Sequence, residues 1–266
     1  MQKGQALIVI IFVLAVALTV GLAVVSRSVT DVGTSTTQEE SSRALSAAEA
    51  GIEAALAAPM NQQYNSIGVV GIPYSGNSIS IPEPLSAGES ATIFMTGHDS
   101  DGNITEGVGE YSPGSLDLCW GTVSTGSKPA IEASLYYKIA DVYKITRYAY
   151  DPDSRGGFTS ADTNTGSCPS DRSYLYHKTD RSYLYHKTIS GLPSGKILLR
   201  VRLLYNGDTA HYVAVSGSSS FPVQGKNITS EATDGSTTRK IEVFQRYPDL
   251  APMLDSAVFS GAGLVK

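Results

Sequence analysis

The stretch Ala6–Val25, ALIVIIFVLAVALTVGLAVV, follows only Met1-Gln2-Lys3-Gly4 and Gln5. No charge interrupts it, and Thr19 and Gly21 are its only soft spots. As a helix, about 20 residues at 1.5 Å each span roughly 30 Å, the thickness of a bilayer's hydrocarbon core. Helical composition continues past the apolar edge. From Ser26 to Ala58 there is no proline, and the stretch closes on SSRALSAAEAGIEAALAA (41–58), rich in strong helix formers. Pro59 ends the pattern, because a proline inside a helix removes a hydrogen bond and clashes. One helix over 5–58 is predicted, its first half suited to lipid and its second to water or protein. Within the second half Ala48, Ile52, Ala55 and Leu56 recur at helical spacing and form a stripe that must pack on something. The Ser- and Thr-rich part, 26–38, is its least secure portion, since those side chains compete for backbone groups. A cleaved secretory signal fits poorly: its apolar region is shorter, and Ala23-Val24-Val25 is a weak cleavage site.

The Lys3-Gly4 leader, the immediate apolar helix and the amphipathic continuation resemble a type IV prepilin or pseudopilin. The run Arg43-Ala44 … Ala47-Ala48-Glu49-Ala50-Gly51-Ile52-Glu53 resembles more narrowly the PilX-type minor pilins and the GspK-type pseudopilins. The resemblance covers about the first 58 residues. Two positions depart from the wider pattern: Gln5 stands where Phe or Met is usual, and Val9 stands where major pilins carry glutamate, an absence shared by the PilX and GspK groups. The resemblance implies cleavage between Gly4 and Gln5 by a prepilin peptidase and methylation of the new Gln5 amine. It further implies a filament in which the helix meets other pilin subunits. Lys3 and the amine precede the apolar run and Arg27 follows it. The short leader makes a single pass with the N-terminus cytoplasmic the easier topology, and the remainder is then extracellular.

The fold class expected is α+β: a leader over 1–4, a long helix over 5–58 with a transmembrane segment at 6–25, a linker over 59–90, and a β-rich head over 91–266. About 200 of the 266 residues follow Pro59, enough for a sizeable core. Net charge is −5, which argues against a nucleic-acid binder, for which a basic face is expected. Charged residues make up only 17%, against 26 glycines and 15 tyrosines, a composition suited to an extracellular β domain.

The region 61–90 holds so many glycines and prolines that no long element is expected, only brief pairing of 67–72 or 78–81. Strands are predicted at 91–96, 115–122, 131–139 and 142–150, the last two turning at Ala140-Asp141. In 196–205, Ile197, Leu199, Val201 and Leu203 alternate with Arg200 and Arg202. Asn206-Gly207 predicts a hairpin from that strand into His211–Val215, and Asp234-Gly235 predicts a second hairpin leading into Arg239–Tyr247. The tail, 250–266, resembles the short apolar ending of the PilX-like group. DRSYLYHKT occurs at 171–179 and again, identically, at 180–188. A shift of nine is odd and exchanges the faces of a strand, so one copy is expected in a sheet and the other outside it.

No enzyme signature is present, and no catalytic residue or cofactor is nominated. Asp99, Asp101 and Asn103, with Glu110, form an oxygen-rich loop with weak likeness to a calcium site. Its glycine falls at the fourth position rather than the sixth, and an ordinary turn is the better reading. Arg43, Glu49 and Glu53 are candidates for pairs between subunits. Tyr136, Tyr137, Tyr143, Tyr148 and Tyr150 suit either an adhesive surface or strand packing. Cys119 and Cys168 are the only cysteines, and in an extracellular head they should form a disulfide. The expected function is structural: a minor subunit of a type IV pilus or related secretion or uptake filament, at the tip or in initiation. The alternative is a membrane-anchored β domain that binds a ligand at the cell surface.

Overall fold

The structure is a computed structural model that describes residues 3–122, 126–166, 168–169 and 183–249. The first repeat copy and the tail 250–266 lie outside the described residues. Helix α1 runs unbroken over Lys3–Leu56. The strands follow as β1 (Tyr64–Ser66), β2 (Val69–Ser80), β3 (Ser90–Phe94), β4 (Gly97–His98), β5 (Ile104–Thr105), β6 (Ser115–Trp120) and β7 (Ala130–Ile139). After them come β8 (Val142–Asp151), β9 (Thr159–Ser160), β10 (Asp162–Thr163), β11 (Tyr185–Ser190), β12 (Lys196–Leu204), β13 (Val213–Asp234) and β14 (Thr237–Arg246). One long apolar helix followed by mostly antiparallel strands makes the fold α+β.

The chain divides into two compact units. The first comprises α1, β1, the start of β2, the end of β13 and the start of β14. Its core is Ile52, Ala55, Val69 and Ile228, with Leu56, Tyr64, Ile241 and Val243 packed against them. The predicted helical stripe thus finds its partner: Ala48, Ile52 and Ala55 are buried and Leu56 packs half-buried beside them, and Ala44, one turn before the stripe, is buried as well. The Asp234-Gly235 hairpin forms as read, with β14 paired to β13 and Gly235 at φ 53°.

The second unit is a two-sheet sandwich. One sheet runs β3-β12-β7-β8-β9, and facing strands come from the order β2-β13-β6-β11-β10. Leu116, Leu118 and Trp120 of β6, Ile131, Ala133 and Leu135 of β7, and Leu199, Val201 and Leu203 of β12 supply one core. Their alternate neighbours face the other side of each sheet, as strand geometry dictates, where Cys119 and Arg200 are buried too. The β7–β8 hairpin turns at Ala140 and Asp141, both at positive φ, in register Ile139↔Val142.

Two expectations need correction. The Asn206-Gly207 turn exists but makes no hairpin. β12 is flanked by β3 and β7, so neither edge is open, and β13 pairs with β6 in the other sheet. The second concerns 59–90, read as a linker. It contains the 12-residue β2, which overlaps both short candidates and joins them. Among the described residues β1 covers β2 only at Val69–Gly71. Pro73 therefore lies where one edge of the strand needs no donor.

Candidate functional site

The first site to build is α1 itself. Gly4 and Gln5 lie within its first turns. From Leu7 to Val32 every large apolar side chain is exposed, Val9 at 62% among them. It is the one helix among the described residues long and apolar enough to cross a membrane. Beyond Val25 the helix does not fray at its hydroxyl-rich part. Thr30, Thr34, Thr36 and Thr37 each donate to the carbonyl four residues back, at 2.9–3.0 Å. Spent in this way, the hydroxyls no longer draw the backbone out of the helix.

At Glu40 the surroundings change. Glu40 Oε2 accepts hydrogen bonds from Ser236 N at 3.1 Å, Ser236 Oγ at 3.0 Å and Thr237 Oγ1 at 3.4 Å. Arg239 donates to Ser41 Oγ through Nε and Nη2, at 2.9 and 2.5 Å. The β13–β14 turn thus grips the helix. A Cβ on Gly235 would collide with the Glu40 carboxylate, so the approach requires glycine as much as the turn does. These bonds, above all the Ser236 backbone N–H, hold the Glu40 carboxyl below the usual carboxylate range. One turn after Ala48, a Cβ on Gly51 would meet Ser230 Oγ and come within 2.6 Å of Val69 Cγ2. Sequence reasoning found the stripe but missed this clamp, because two glutamates before two serines look like any solvated helix face. Of the residues proposed for pairs between subunits, Arg43 bonds Glu39 within the helix and Glu49 and Glu53 are exposed.

In the second unit Cys119 and Cys168 form a disulfide, with Cα atoms 5.8 Å apart. Closing a loop of about 50 residues restricts the unfolded chain by roughly 4 kcal/mol in the entropy model. The oxygen-rich loop is a turn between β4 and β5. Asp99 Oδ1 accepts from the backbone N–H of Asp101 and Asn103 at 2.9 and 2.8 Å, and Oδ2 from Asn103 Nδ2 at 3.2 Å. Glu110 is committed elsewhere: its Oε1 accepts from Lys196 N and pairs with Lys196 Nζ, both at 3.0 Å. The carboxylate proposed as the last ligand is therefore not gathered with the others.

The second repeat copy supplies most of β11, in register His186↔Cys119 and Thr188↔Asp117. His186 Nε2 lies 3.0 Å from Asp117 Oδ1, which also accepts from Thr188 Oγ1 at 2.6 Å. Burial pushes the His98 and His211 imidazoles below their ordinary range. Of the tyrosines, Tyr137, Tyr148 and Tyr150 pack at the core, while Tyr143 is exposed.

Sequence reasoning also passed over Lys226. It is fully buried, and its ammonium donates to the carbonyls of Ala58 and Pro59 at 3.1 and 2.5 Å. Burial lowers its pKa, and the lysine ties down the chain that follows α1. No protein-family model, curated protein or solved structure matches this chain.

Proposed function

We propose that this chain is a minor pilin or pseudopilin, a structural subunit of a type IV pilus or a related secretion or uptake filament. The observation that carries the reading is the shape of α1. A single helix of 54 residues exposes an apolar stretch on every side, while its far end is gripped by the β13–β14 hairpin. Such a helix needs lipid first and can then take neighbouring helices around it. On this reading a prepilin peptidase cuts between Gly4 and Gln5 and methylates Gln5. The N-terminus starts cytoplasmic, and the head stands outside, where the Cys119–Cys168 bond is sustained.

Val9 sets the position. The amine exposed on Gln5 needs a partner when it leaves water, and in major pilins, as the resemblance implies, a glutamate of an adjoining subunit supplies it. Val9 offers none to a neighbour, although the amine on Gln5 can still receive one. The chain therefore belongs at the start of a filament, as a tip or initiating subunit of low abundance. The test is the intact mass of the protein taken from its native membrane. Loss of Met1–Gly4 with gain of one methyl group is expected, whereas the full-length mass defeats the reading. Val9 equally suits the second reading, an anchored β domain that never assembles. Its complete absence from sheared filaments by immunogold labelling supports that reading, and uniform decoration along the shaft rules out the tip.

A further inference from the structure

The five-stranded sheet leaves one long edge without a neighbour among the described residues. Among the described residues, β7 lines β8 from Ile139↔Val142 to Ile131↔Tyr150, while β9 meets the other edge only at Tyr150 and Asp151. Along 142–149 that second edge carries backbone donors and acceptors with no ladder partner among the described residues. Strand edges of this kind are templates for another chain. The side chains there are unusually apolar for a surface: Val142 is 56% exposed, Tyr143 66% and Ile145 51%.

The charges on the edge have one sign. Lys144 and Arg147 are exposed. The acids near them are already engaged. Glu106 accepts from Lys138 Nζ at 2.8 Å and from Tyr143 Oη at 2.6 Å. Glu132 Oε2 accepts twice from Arg202, at 3.0 and 2.7 Å, and its other oxygen lies 3.8 Å from Arg147 Nε. A second copy of this chain is a poor occupant: paired antiparallel about the centre of 142–149 it sets Lys144 opposite Arg147, and Asp141 in the β7–β8 turn lies outside that seam, 3.4 Å from Lys138 Nζ.

We propose that the open edge of β8 receives an extended acidic segment of a partner protein as an added antiparallel strand. The register defines its chemistry. Opposite Arg147, Thr146, Ile145, Lys144 and Tyr143 in turn, the partner presents an acid, any residue, an apolar residue, an acid and an apolar residue. Main-chain hydrogen bonds supply affinity and this alternation supplies selectivity.

The test titrates a fluorescent synthetic peptide with the core Glu-Thr-Val-Glu-Val into the full chain in detergent and follows its anisotropy. Saturable binding is expected. The double variant Lys144→Glu with Arg147→Glu should bind it at least about tenfold more weakly. A peptide with Lys-Thr-Val-Lys-Val should show the reverse preference, which also proves the variant folded. N-methylation of alternate peptide amides should abolish binding. Three results overturn the proposal: no binding of the acidic peptide, equal binding of the N-methylated one, or self-association of the chain through this edge.

Discussion

Residues 7–39 and 40–56 belong to one helix, yet they are held in place by different means. In the first stretch apolar side chains point in every direction and none is buried. Nothing within this chain favours one face over another, so the medium must supply the contacts. In the second stretch the apolar surface narrows to Ala44, Ala48, Ile52 and Ala55, and all four are buried. Three of the four are alanine, and Gly51 in the same stretch comes so close to Ser230 and Val69 that a Cβ there would collide. Both stretches are helical although the second is richer in strong helix formers, and what changes at Glu40 is the source of packing.

The sharpest way to break this contrast is a charge on each side of it. Ala48→Asp should destabilise the folded chain by about 3–4 kcal/mol, since a buried carboxylate there has no partner. Val32→Asp, on the exposed side of Glu40, should leave chemical denaturation in detergent unchanged. Equal effects would erase the boundary at Glu40.

A gentler probe uses one substitution in both stretches. Gly51→Ala should cost about 1–3 kcal/mol, because the new methyl runs into Ser230 and Val69. Gly33→Ala meets nothing within 4 Å and should stabilise the helix by up to about 1 kcal/mol. Opposite signs in melting temperature are the expected outcome, and a shared sign defeats the account.

The clamp itself titrates. The Glu40 carboxyl is depressed below its ordinary value of 4.5. Its contribution is therefore complete above that value and is lost as pH falls through the lower folded-state value. Glu40 is only half-buried and water screens it, so the effect is small. Melting temperatures between pH 7 and pH 3 should converge for the native chain and Glu40→Gln as the pH drops. A constant gap assigns the clamp to shape rather than charge.

The smallest effect is expected from deleting one DRSYLYHKT copy. The copies adjoin and are identical, so either deletion gives the same sequence. The remaining copy still precedes Ile189, which is buried opposite Leu116, whereas the first copy precedes Asp180. Surface insertions cost little in loop entropy, and an unchanged melting temperature is expected. A loss of several degrees would place both copies in the core.

What the sequence disclosed follows from range. The apolar run, the turns at Ala140-Asp141 and Asp234-Gly235, and the alternation from Ile197 to Leu203 are local patterns, and each became the element read. The Asn206-Gly207 pattern was equally local and misled, because β3 and β7 had already taken both edges of β12. β2 was illegible for the converse reason: its glycines and Pro73 break strands in general, but not one whose edge is open. The Glu40 clamp, buried Lys226 and the bare edge of β8 depend on residues far apart in the chain, and no spacing along the sequence marks them.

The backbone passes between the two units at Ala57–Ala58, Gln63–Tyr64, Gly71–Ile72, Asn227–Ile228 and Val243–Phe244. Three of these crossings fall inside continuous strands, β2, β13 and β14. The first unit is therefore built from three separate lengths of chain, and no single cut in the backbone can release it.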